Sequence, residues 1–293
     1  MVATESNPII LYDLKSKLAE PGWSPHAWKA RFVLNYKRLP HKTVWLSYPE
    51  IEPTLKALGL PPLVGEYVDY TIPVIVDPAP PGSGAPPTIV RDSVAIAKYL
   101  DATYPDPERP IFPNGTRALQ VFFERHITKQ IITYSPLPIL IVPLIPSILD
   151  DLALPHFRRT RDPWYGVPIE EARPKGAALE EAWAKVKEEF DVLDAILEEN
   201  SVERGGDGGD FVLGHQISFA DFTLVGLFVL LSKFQPEEDG CPWYRVKRWH
   251  GGRWERMWKK CEGLMQVVAS YEPVSETIEP PSLNIVSYSA VTA

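Results

Sequence analysis

Trp23-Ser24-Pro25-His26-Ala27-Trp28-Lys29 lies between a short apolar run, Pro8-Ile9-Ile10-Leu11, and a stretch that stays amphipathic as far as Lys37. Ser24-Pro25 is the signature of a helix start, a capping hydroxyl followed by proline at the first helical position. The preceding apolar run suits a buried strand, and Lys42 to Tyr48, β-branched and aromatic, predicts a second. Pro49 to Leu58 then reads as a short helix and Thr71 to Asp77 as a strand entered through Pro73. Thr88-Ile89-Val90 follows a Pro/Gly/Ser turn, and Asp92 to Leu100 has apolar residues three and four apart, as a helix requires. The order through about residue 104 is βαβαββα.

Pro105 to Gly115 has the composition of a linker. Beyond it the periodicity is helical. From Ala177 to Asn200, Trp183, Val186, Phe190, Leu193 and Leu197 fall on one face, with Glu and Lys opposite. Ile217-Ser218-Phe219-Ala220-Asp221-Phe222 has the form of a capping box with a hydrophobic staple, opening a helix to about Leu231. Lys247 to Ser270 supplies a last helical stretch broken at Gly251-Gly252, and the Ser/Pro-rich chain after Tyr271 is expected to wrap loosely. The expected organisation is an α/β domain over 1–104, a linker over 105–116, an all-helical domain over 117–270 and a tail over 271–293.

The chain has 293 residues, 45% of them hydrophobic, enough to bury a full core. Its net charge of -8 excludes a global basic field for nucleic acid or anionic lipid. Cys241 and Cys261 are too few for a disulfide framework, so a cytoplasmic address is expected. Ile131 to Leu149 is uncharged and long enough to test as a membrane span, but Pro136, Pro138, Pro143 and Pro146 break it. We read it as a buried or cleft-lining irregular segment, without membrane insertion.

Three places can carry chemistry. Ser24 stands where thiol–disulfide enzymes place a cysteine, at a helix N-terminus that stabilises a thiolate. The first half of this chain has no cysteine, so the hydroxyl and the helix amides suit an anion brought by a ligand. Read alone, Ser24 is an N-cap. Ile72-Pro73, a β-branched residue before a strand-initial proline, fits either an edge-strand start or a cis-proline that offers backbone groups to a peptide-like ligand. Asp92-Ser93, opening a helix, fits a simple cap or a carboxylate site. The specificity lies in having all three, in this order, on a βαβαββα frame with a helical domain behind. The six histidines show no metal-ligand spacing, so no metal is expected. Trp243, Trp249, Trp254 and Trp258 suit core packing better than base stacking.

With these residues in place, the chain resembles the glutathione transferase superfamily: a thioredoxin-like βαβαββα domain followed by an all-helical one. Trp23 to Arg31, Leu34-Asn35-Tyr36-Lys37, Tyr70 to Val74 and Asp92 to Asp101 are similar to the etherase-related fungal class called FuA. The resemblance implies a transferase in which bound glutathione, as co-substrate, attacks hydrophobic or aromatic electrophiles, the chemistry of detoxification. Ser24 would face the sulfur, Ile72 and Pro73 would pair with the cysteinyl backbone, and Ser93 would hold the γ-glutamyl carboxylate. Asp92 replaces the glutamate common in relatives, and Lys42 or His41 would reach the glycyl carboxylate. Trp23, Tyr134 and Pro136 would wall the second-substrate cleft. A homodimer is usual for the superfamily. The resemblance also leaves room for a non-catalytic binder of polyphenols, or for glutathione-dependent cleavage of β-aryl ethers.

Overall fold

A computed structural model describes residues 3–65, 68–202, 208–234, 241–268 and 284–286. The chain divides into two compact units, Met1–Ile111 with Leu264–Ala293, and Phe112–Gly263.

The first unit is built on a sheet of order β2-β1-β3-β4-β5. Its strands are β1 (Ile9–Leu14), β2 (His41–Leu46), β3 (Val74–Asp77), β4 (Thr88–Arg91) and β5 (Asn284–Val286). β1 and β2 run parallel, joined through α1 (Pro25–Tyr36), whereas β3 is antiparallel to both β1 and β4. The order through α2 (Tyr48–Ala57) and α3 (Ser93–Thr103) is the expected βαβαββα. Leu11, Phe32, Val33 and Leu34 are fully buried, so strand and helix share one apolar core. The loop after β4 is short because Asp92 caps α3 directly, its Oδ1 accepting from the amides of Val94 and Ala95 at 2.9 Å each. At the other end of α3, the hydroxyls of Tyr99 and Tyr104 both donate at 2.7 Å to the buried carboxylate of Asp77. That contact anchors the helix to the end of β3.

Two features depart from the expected outline. The tail was expected to wrap loosely, yet Asn284–Val286 joins the sheet as a fifth strand, parallel to β4 in the register Thr88↔Asn284, Ile89↔Ile285, Val90↔Val286. The rest of the tail beyond Val268 lies outside the described residues. Residues just after the helical unit also return to the first unit, where the Asn35 amide donates to the carbonyls of Leu264 (2.7 Å) and Gln266 (2.9 Å).

The second unit contains α4 (Arg117–His126), continued by a π-helical stretch Ile127–Tyr134, then α5 (Leu137–Ile141) and a 3-10 stretch Val142–Ile148. The expectation of an irregular segment from Ile131 is corrected here. Pro138 and Pro143 occupy the first turns of their helical pieces, where a missing N–H costs nothing, and with Pro146 inside the 3-10 stretch the segment is a series of short helical pieces. Leu137, Leu140, Ile141, Ile145 and Ile148 are buried, and among the described residues no single helix is long and apolar enough to cross a membrane. The unit continues through α6 (Ala153–Tyr165), α7 (Ala177–Val202), α8 (Phe219–Ser232), α9 (Pro242–Val246) and α10 (Arg253–Cys261).

All five apolar residues expected on the inner face of α7 are buried. Phe190 sits 5.4 Å from the rings of both Trp249 and Trp254, and Phe228 sits 5.0 Å from Trp243. Trp243 and Trp254 are therefore core residues, as read from the sequence, whereas Trp249 and Trp258 are half-buried at its margin. α8 is buried on every side. Its N-terminus is held by Asp221, which accepts from the amides of Val212 (2.7 Å) and Ser218 (2.8 Å), and by Gln120, which accepts from the amide of Ala220 at 3.1 Å.

Candidate active site

The sheet register gathers the expected site. Tyr12 of β1 pairs with Val74 of β3, which pairs with Arg91 of β4. Residues just before Val74, just after Arg91 and just after Leu14 therefore leave the sheet at the same end. These are Ile72-Pro73, Asp92-Ser93 and the loop that runs into Ser24. The Ile72–Pro73 peptide is cis, and the Pro73 carbonyl accepts from the Asp92 amide at 3.3 Å, joining two of the three places directly.

Ser24 is the N-cap of α1 and is 5% exposed. Its oxygen accepts from the Ala27 amide at 3.4 Å, a long contact that occupies one lone pair. A hydroxyl has a proton to donate besides its acceptor lone pairs, so capping the helix does not preclude donating to an anion. Ser93 is buried as the first residue of α3. Asp92 has φ of 83° and spends one carboxylate oxygen on capping α3.

The same register separates Lys42 from this group. Lys42 pairs with Ile10 and His41 with Ile9, near the start of the parallel strands, whereas Leu46 pairs with Leu14 at the end that leads to Ser24. Four residues of strand span about 13 Å, so Lys42 belongs to the opposite end of the sheet. His41 is 5% exposed, and its Nδ1 donates to the Leu39 carbonyl at 2.9 Å. Burial, with a smaller push from the Arg31 cation, lowers its pKa to about 4, so it is neutral at physiological pH and no partner for a carboxylate. Lys15, exposed and directly after β1, is a cation at the correct end, whereas Arg91, which ends β4 there, donates to the Pro61 carbonyl at 2.8 Å. The sequence signal for Lys15 is the chain position after the last strand residue, which becomes readable only once the register is known.

His41 gives the first unit a pH dependence. Its folded pKa lies below the 6.5 of a free imidazole, so its contribution is present above pH 6.5 and lost as pH falls through about 4. The gap is worth about 3 kcal/mol. Hydrogen-exchange protection of β2 is expected to fall over that window, and His41→Gln to abolish the dependence.

Trp23 is 3% exposed, with its ring 6.4 Å from Tyr48 and its indole N–H donating to the Lys15 carbonyl at 3.4 Å. It packs the loop ahead of Ser24. Tyr134, 68% exposed, ends the π-helical stretch in the second unit, and Pro136 caps α5. Among the described residues no cluster of His, Cys, Asp and Glu could hold a metal ion.

Residues 23–103 match the family model described as glutathione S-transferase, N-terminal domain, and residues 118–264 match the corresponding C-terminal domain. The chain belongs to the glutathione S-transferase family. It is 32% identical over 263 residues to the glutathione S-transferase-like protein ustS of Aspergillus flavus, covering 88% of this chain and 91% of that one. Among solved structures, it resembles a glutathione S-transferase of Ceriporiopsis subvermispora crystallised with glutathione. That pair shares 32% identity and a TM-score of 0.76, with 89% of this chain and 99% of the other covered. Glutathione transferase GSTFuA3 of Phanerochaete chrysosporium is also 32% identical, with a TM-score of 0.74 over 89% of this chain and 98% of its own. For this family member, the likeness to fungal enzymes of the FuA class agrees with the residues around Ser24 that first suggested it.

Proposed function

We propose that this protein binds glutathione at the sheet end carrying Ser24, Ile72-Pro73 and Asp92-Ser93, and joins it through its sulfur to small hydrophobic or aromatic electrophiles. The observation that carries this reading is the register row Tyr12–Val74–Arg91, which brings the three separate sequence places to one end. A glutathione S-transferase of similar fold crystallised with glutathione supports the ligand.

In this reading the first-turn amides of α3 and the Ser93 hydroxyl hold the γ-glutamyl carboxylate, since a helix N-terminus is an anion site. Ile72 offers its backbone to the cysteinyl residue. The Ser24 hydroxyl donates to the sulfur, favouring the thiolate over the thiol. The thiolate then attacks an electrophilic carbon: a carbon–sulfur bond forms, the leaving group departs with its electron pair, and the thiol proton goes to solvent. Lys15 supplies a cation at this end of the sheet, in the role that the family resemblance gave to Lys42 or His41. The protein acts as a cytoplasmic homodimer.

Glutathione should raise the melting temperature of the purified chain, and an aryl halide should release halide only when glutathione is present. Absence of both effects would remove the transferase reading. Binding of glutathione and of phenolic dyes without turnover would identify a binder. Ser93→Ala is expected to raise the KM for glutathione about tenfold, the cost of losing one hydrogen bond to a charged group, while leaving kcat within a factor of two. Lys42→Ala should leave that KM unchanged, and a rise comparable to that of Ser93→Ala would restore Lys42 to the site.

A further inference from the structure

Asp13 and Arg31 form an ion pair with both side chains at 0% exposure, their closest atoms 2.8 Å apart. A second guanidinium nitrogen donates to the Thr43 hydroxyl at 3.0 Å. Asp13 also accepts from the Leu14 amide through its other oxygen. One arginine therefore ties α1 to β1 and β2 at once. The guanidinium carbon lies over two indoles, 5.5 Å from the Trp28 ring centroid and 5.1 Å from that of Trp45.

Stability alone does not account for this arrangement. Charges withdrawn from water lose hydration, and exchanging a buried pair for well-packed apolar side chains is often neutral or stabilising. The site is also incompletely satisfied: Arg31 Nε and Trp28 Nε1 are two of the four buried side-chain nitrogens or oxygens without a hydrogen-bond partner among the described residues. A planar fork that fixes direction gives what an apolar plug does not, a single axial position for the helix against its strands.

The contacts lead outward from that fork to Ser24. A Cβ placed on Gly22 would stand 3.3 Å from the Trp45 ring and 3.5 Å from the indole nitrogen of Trp28. The loop thus rests at Gly22 on the same two indoles that the guanidinium contacts. Gly22 precedes Ser24 by two residues, and Arg31 follows it by about two helical turns on the same rigid helix.

We propose that the Asp13–Arg31 pair is a positioning element of the thiol site, fixing through Trp28, Trp45 and Gly22 where the Ser24 hydroxyl stands. Asp13 and Arg31 touch no substrate; they act through Ser24. This rests on the glutathione transferase reading.

The test compares Arg31→Met, Arg31→Lys and Gly22→Ala with the unaltered full chain. Bound glutathione is titrated by its ultraviolet thiolate absorbance, its affinity is measured by calorimetry, and kcat and KM are determined with an aryl halide. Displacement of the donor is expected to raise the bound thiol's apparent pKa and to lower kcat about tenfold in Arg31→Met and Gly22→Ala, with glutathione affinity within twofold. Arg31→Lys should fall between, because an ammonium keeps the charge pair and loses the fork. Gly22→Ala keeps the ion pair intact, so it decides the matter if Arg31→Met fails to fold. A wild-type thiol titration and kcat in Gly22→Ala would overturn the proposal while leaving the transferase reading in place. Failure of the unaltered chain to bind glutathione would overturn both.

Discussion

Asp221→Ala is expected to destabilise the Phe112–Gly263 unit by roughly 2–6 kcal/mol, a large part of an ordinary domain's margin. The carboxylate is fully buried and accepts from the amides of Val212 and Ser218 and from the Ser218 hydroxyl. Alanine leaves two amides without partners, Ser218 at the start of a helix buried on all sides and Val212 in the half-buried loop before it, and each orphaned donor costs about 1–3 kcal/mol. Asparagine should recover only part, since its amide nitrogen would face one of the same N–H donors. Denaturant unfolding followed by tryptophan fluorescence reads the loss, and a change below about 1 kcal/mol would contradict it.

The penalty should also depend on pH. Burial, opposed by its hydrogen bonds, raises the Asp221 pKa from 3.8 to about 7. A raised folded pKa means that the contribution is fully present below pH 3.8 and is lost as pH rises through 7, so the alanine penalty shrinks across that range. This runs opposite to His41. Between pH 4 and 6.5, falling pH weakens the first unit through His41 and favours the second through Asp221.

Ser24→Ala is expected to return the bound glutathione thiol toward its free pKa of about 8.5. If the site lowers that value by ~2 units, the thiolate fraction at neutral pH falls about 25-fold in the variant. The rate changes much less. A more basic thiolate is a better nucleophile, and a Brønsted slope of ~0.45 returns about eightfold, leaving a net loss near threefold. The thiolate absorbance titration is therefore the decisive measurement, and an unshifted titration curve would remove Ser24 from the chemistry. Glutathione affinity should stay nearly intact, because Ser93 and the α3 amides hold the other end of the tripeptide. The small rate term also means that positioning of the electrophile supplies much of the acceleration.

Local signals in the sequence were sufficient for most of the first unit's elements and for the local form of the three candidate places, a helix cap, a strand entry and a second helix cap. Ser24-Pro25, the spacing in Asp92 to Leu100 and the inner face of α7 each depend on neighbours within one or two turns, and these readings agree with the structure. Features that depend on pairing between distant segments were not legible. Residues 41 and 42 both belong to a strand, but only the register Ile10↔Lys42 shows which end of the sheet they occupy. Asn284–Val286 is too short for a periodic pattern, and its place follows from an open edge elsewhere. Arg31 looks like an ordinary polar residue of an amphipathic helix. Its complete burial follows from Asp13 and Thr43, which lie on two different strands.

The outer side of β4 would otherwise end the sheet with a row of unspent amide and carbonyl groups, a template on which strands of other molecules can add. Asn284–Val286 fills that row from within the same chain. Shortening the polypeptide before Asn284 would bare a sticky border immediately beside the turn that presents Asp92 and Ser93, so a trimmed form should clump more readily on storage.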